Sequence, residues 1–168
     1  METTAKAWYV LRTKPRSEKQ VYKRLVENGI DTYLPLYSTI RQWSDRKKRV
    51  QVPLFNSYIF VNINDGQFHI PYVIPGVFKF VTFEGLPAVV PQRDIDNLKI
   101  LLSSNPELEI SNRNFKAGQK VKVTLGILNG LTGELVQSGR SKRLLVRIES
   151  IEKNLLVKIP ANYLEGIN

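Results

Sequence analysis

"PLFNSYIF", residues Pro53 to Phe60, is the stretch from which the fold of this chain can be read. At a period of two, one side carries Phe55, Ser57 and Ile59 and continues through Val61 and Ile63. The other side carries Leu54, Asn56, Tyr58 and Phe60. A strand of a small antiparallel sheet usually alternates an apolar side with a polar one. Here both sides are apolar and the second is aromatic. The Phe55–Ile59 side is expected to meet the protein's own helices, which leaves the Tyr58–Phe60 side as a surface that awaits a partner.

The flanking sequence supplies the rest of a sheet and its helices. "AWYVLRT" (Ala7–Thr13) alternates as a strand. Ser17, with Gln20 three residues later, forms a capping-box pattern. Val21, Tyr22, Leu25 and Val26 then recur at helical spacing, Gly29 supplies the stop, and Lys19, Lys23 and Arg24 face outward. "IDTYLPLYSTIRQW" (Ile30–Trp43) is rich in β-formers, with Pro35 marking an edge or bulge. It pairs with "VQVPLFNSYIFVNI" (Val50–Ile63) across Ser44–Arg49. "NDGQFHIPYVIPGV" has room only for a short helix, and "FKFVTF" opens a strand that turns at Glu84–Gly85. "LPAVVP" adds a short strand, and "QRDIDNLKILL" reads as a helix with Ile95, Leu98, Leu101 and Leu102 inward. This order predicts an α+β fold, an antiparallel or mixed sheet packed with helices.

Further organisation follows from the remaining residues. "SSNPELEISNRN" is polar and aperiodic, so the reading is a domain over 5–103, a linker over 104–114 and a second domain over 115–168. The last stretch is almost wholly strands and turns, which predicts a small β-barrel of about five strands.

Charge bounds the function. The net charge is +10 at pH 7, and the pI is about 9.9. Residues 12–24 hold six basic side chains against one acid, and residues 41–49 hold five against one. Such concentration points to an anionic partner, with contact to phosphates at Arg46, Lys47, Lys48 and Arg49 near a hairpin tip. From Pro106 onward the balance is only ten basic to six acidic residues. There is no cysteine, no secretory leader pattern and no long apolar run, which together suggest a cytoplasmic protein. With a single histidine, His69, and no nucleophile, phosphate-loop or dinucleotide motif, the sequence points away from catalysis. No cofactor and no metal is expected, since acids such as Asp94 and Asp96 sit where they favour a helix dipole.

Two sets of motifs together carry a family resemblance. "WYVLRTKPRSEKQV", "VPLFNSYIFVNI", "IPGVFKFV" and "LPAVVP" resemble the NusG N-terminal domain. "FKAGQKVKVTLGILNGLTGELV" resembles a KOW motif, with Gly126, Gly130 and Gly133 at its turn positions. The whole is similar to NusG-like transcription elongation and antitermination factors, and looks closer to specialised paralogues of the RfaH and UpxY type than to housekeeping NusG. The resemblance implies a non-enzymatic factor that binds bacterial RNA polymerase at the β′ clamp helices, reaching toward the β subunit. It further implies suppression of pausing or termination on specific operons such as polysaccharide loci.

Carried over by position, Tyr58, Phe60, Phe55, Trp8 and Tyr9 would meet polymerase, and His69 would lie toward the β subunit. Arg12, Lys14 and Arg16 match a segment that faces non-template or upstream DNA. In the KOW barrel, Ile151 within "ESIEKN" stands nearest the position that meets a ribosomal protein or Rho. The rival reading is a KOW-type RNA- or ribosome-binding protein that acts without RNA polymerase. The modest charge of the second domain ranks it behind.

Overall fold

The computed structural model describes residues 4–168. They divide into two compact units, which part between Gln92 and Arg93.

The first unit runs β1 (Ala7–Thr13), α1 (Glu18–Glu27), β2 (Asp31–Tyr33), β3 (Leu36–Gln42), β4 (Lys47–Pro53), β5 (Tyr58–Ile63), α2 (His69–Val73), β6 (Val77–Phe80), β7 (Thr82–Phe83), β8 (Leu86–Pro87) and β9 (Val89–Val90). The main sheet has the antiparallel order β2-β5-β1-β6, with β9 also pairing β1. β3 and β4 form a separate two-stranded ribbon, and β7 and β8 a small hairpin that turns on Glu84 and Gly85, both with positive φ. One face of the main sheet carries Leu11, Ile59, Val61 and Ile63, buried with Val21 and Leu25 of α1 and with Ile74 and Phe80. Phe68 and Ile70 close that core beside α2.

The quoted stretch is not one strand. β4 ends at Pro53 and β5 begins at Tyr58, with a turn between them. Ser57 takes the left-handed conformation at φ 66°, a costly choice for a residue with a side chain. Two hydrogen bonds hold it there. Its N–H donates to Glu18 Oε1 at 2.7 Å, and its carbonyl accepts from Thr13 N–H at 2.9 Å. The turn breaks the period-two phase, so both Leu54 and Phe55 are buried before the strand resumes.

α1 forms where its spacing predicts, but its cap differs. Ser17 makes no side-chain cap bond, so the capping box does not form. The buried acid Glu18 at the first helical position is instead aimed at Ser57. Val21 and Leu25 face the core while Tyr22 and Val26 stay exposed, a narrower stripe than the spacing suggested. Gly29, at φ 75°, ends the helix, its N–H donating to the Val26 carbonyl.

The second unit holds α3 (Gln92–Ser103) from its second residue on and continues through β10 (Leu108–Ser111), β11 (Gln119–Val123), β12 (Thr132–Ser138), β13 (Ser141–Ile148), β14 (Lys153–Val157) and β15 (Leu164–Gly166). The strands make one antiparallel sheet in the order β10-β14-β13-β12-β11-β15. β10 lies inside the stretch read from sequence as a linker, paired to β14. α3 belongs to this unit through its buried Asn97. The Asn97 amide donates to the Thr132 carbonyl and accepts from Thr132 N–H, each at 3.2 Å, as a neighbouring strand would. The compact units part at 92, whereas the sequence reading ends the first domain at 103.

Gly126 and Gly130 sit in the turn between β11 and β12, but Gly133 does not. It lies within β12, where a Cβ would come 2.5 Å from the Leu145 carbonyl oxygen. Its role is close approach of two strands. Arg147 forms an ion pair with Glu134 and donates to the Phe115 carbonyl at 2.8 Å, fastening the entry segment to β12 and β13.

Asp94 is buried in the first turn of α3, where burial raises its pKa from 3.8 to about 6, against the pull of Arg93 and with a further push from Glu149. A raised folded pKa means the native state holds the proton longer than the unfolded chain does. Stability should therefore fall as pH rises from about 4 to about 6 and stay lowered above that. Asp94→Asn is expected to flatten that fall and to stabilise the protein above pH 6, read as urea midpoints across the range.

Candidate nucleic-acid interface

The register of the main sheet shows what becomes of its second face. Val10 pairs with Phe60, and Phe60 in turn with Tyr33, so the three form a row across β1, β5 and β2. Val10 and Phe60 are each 0% exposed. The Tyr33 ring lies 6.3 Å from that of Phe60, and burial pushes its phenol up to about 12. Trp8, paired to Val90, is buried and donates its indole N–H to Gln92 Oε1 at 2.9 Å. β5 and β1 are the central strands, and an apolar row this large is stable only out of water.

Phe60 is thus not an open surface, which corrects the expectation from sequence. Trp8 and Phe55 are also core. Tyr9 belongs to the helix-covered face, its ring 4.9 Å from Phe68. Tyr58 alone of the five aromatics remains on the second face half-buried, one residue from the turn.

At that end the face is open and basic. Arg12 pairs with Tyr58 across β5 and with Lys79 across β6. Arg12, Lys14, Arg16 and Lys79 are all exposed, and among the described residues none has an acidic partner. Arg16 holds a positive φ of 62°. The site thus joins a β1 end, the loop that follows and an edge strand. Lys79 was missed from sequence because only the register of β6 brings it beside Arg12.

The second basic surface is the β3–β4 ribbon. Trp43 N–H donates to the Arg46 carbonyl at 2.7 Å and closes the tip. Arg41, Arg46, Lys47, Lys48 and Arg49 are exposed, without an ion pair among the described residues. Arg41 stands directly opposite Lys48. Two like charges in register oppose folding, and no acid pairs with either among the described residues. Lys47–Arg49 lie in β4 itself rather than in the loop. The strand fixes their spacing.

The remaining predicted residues are dispersed. His69 is exposed at the start of α2. Ile151 is only 6% exposed, turned inward by the short helical turn Glu149–Ile151. It is a core residue of the second unit and is not available to a partner, which corrects that assignment. Among the described residues no three His, Cys, Asp or Glu side chains gather to hold a metal ion, and no helix is long and apolar enough to cross a membrane.

Comparison with known proteins identifies the frame that carries these surfaces. A family model described as "Transcription termination factor nusG" matches residues 6–99, more than half of the chain. The chain belongs to the NusG family. It is 24% identical to the transcription termination/antitermination protein NusG of Rickettsia felis, covering 96% of this chain and 90% of that one. It is also 24% identical to the protein of the same name from Pasteurella multocida, covering 99% and 98%. A solved structure, described as domain interaction in Thermotoga maritima NusG, aligns over 97% of this chain and 98% of that one at 24% identity and a TM-score of 0.49. The matched 6–99 segment contains the buried aromatic row, the Arg12–Lys79 cluster and the basic ribbon.

Proposed function

We propose that this NusG-family protein is a non-enzymatic transcription elongation factor that binds RNA polymerase through its first unit and suppresses pausing or termination on a restricted set of operons. The observation that carries the reading is a NusG-type unit with two unneutralised basic surfaces, at Arg12–Lys79 and along the β3–β4 ribbon. Their chemistry suits the phosphates of upstream or non-template DNA beside the enzyme. Tyr58 and His69 are the predicted polymerase contacts that remain accessible, at the β′ clamp helices and toward the β subunit. Phe55, Phe60 and Trp8 hold up the sheet beneath them.

The second unit is, on this proposal, a KOW-type barrel that recruits another factor, such as a ribosomal protein or Rho. With Ile151 buried, its apolar contact falls to Leu125 and Ile127, which stand 51% and 77% exposed in the β11–β12 turn. The reading is tested by co-elution of the full-length protein with core RNA polymerase. The two should elute together, and Tyr58→Ala should weaken the complex. Separate elution at micromolar concentrations would overturn it.

A further inference from the structure

The tip of the β3–β4 ribbon holds an exposed aromatic ring among its cations. Trp43 is 54% exposed and Ile40 64%. No ring or cation contact engages the Trp43 side chain among the described residues. The other tryptophan, Trp8, is buried and hydrogen-bonded, so exposure is not a general habit of the residue in this fold.

Pleat alternation sets its neighbours. Arg41 and Lys48 share one side of the ribbon. Trp43 and Arg46, joined by the hydrogen bond that closes the tip, continue that side. The exposed ring therefore shares one side of the ribbon with three cations, Arg41, Arg46 and Lys48. Cations alone would serve any polyanion. A bare indole held among them adds a face for a nucleobase, because every base has a π-face and stacking needs no particular sequence.

We infer that the ribbon tip is a single-strand nucleic-acid site, in which Trp43 stacks on an unpaired base while Arg41, Arg46 and Lys48 hold the flanking phosphates. In a duplex the bases already stack on one another, so the indole gains little there and the cations carry the binding alone. This deepens the nucleic-acid half of the proposed function. Its test uses no polymerase, so it can fail while polymerase binding stands.

The experiment is a tryptophan-fluorescence titration of the full-length protein with three probes: single-stranded oligothymidine of about 20 nucleotides, a duplex of the same length, and heparin. Trp43 is the solvent-facing emitter. Single-stranded DNA should quench it strongly, and heparin should bind without comparable quenching. Trp43→Ala should weaken single-strand binding by about tenfold, leave duplex binding nearly unchanged, and keep the wild-type circular dichroism spectrum. Trp43→Phe should retain most of the affinity. Equal single-strand affinity for wild type and Trp43→Ala, equal loss on duplex, or quenching by heparin as strong as by DNA would each overturn the assignment.

Discussion

Replacing Arg46, Lys47, Lys48 and Arg49 together with alanine is expected to flatten the salt dependence of DNA binding. Each phosphate contact contributes about 0.9 to the slope of log affinity against log salt, so four contacts contribute roughly 3–4. Over a fourfold rise in salt those contacts account for about a hundredfold of affinity, which the variant should no longer lose. The four side chains are exposed and without ion pairs among the described residues, so the fold should survive. Removing Lys48 also relieves its repulsion from Arg41, and the melting temperature should hold or rise slightly. Parallel slopes for variant and wild type would show that the ribbon does not touch phosphate.

Phe60→Ala is expected to cost about 3–5 kcal/mol of stability, as large-to-small changes in well-packed cores do. Phe60 is fully buried between Val10 and Tyr33, so its loss opens a cavity in the middle of the sheet. Tyr58→Ala, two residues away and half-buried, should cost far less and act instead on polymerase binding. Urea denaturation of both variants separates the roles. A loss below about 1 kcal/mol at Phe60 would mean that the aromatic row is not structural.

Much of the first unit was legible in the sequence because its signals are local. The alternation of "AWYVLRT", the Gly29 stop and the Glu84–Gly85 turn each act within a few residues. The error in "PLFNSYIF" arose because period two was carried through Ser57, whose left-handed turn is held by Glu18, 39 residues away in sequence. Nothing local marks that contact. The basic ribbon was visible as a charge cluster, but the pairing of Arg41 with Lys48 and of Arg12 with Lys79 needed the register. β10 was missed because "LEIS" is short and owes its strand to β14. Ile151 looked available within the polar "ESIEKN", yet a single helical turn rotates it inward.

On the proposed function, this protein acts on elongating polymerase. The most direct test is a single-round transcription assay with purified RNA polymerase on a template that bears a pause site and a terminator, with and without the full-length protein. Shorter pauses and more read-through are expected when the protein is present, diminished by Tyr58→Ala. Unchanged pausing and termination at saturating protein would contradict it.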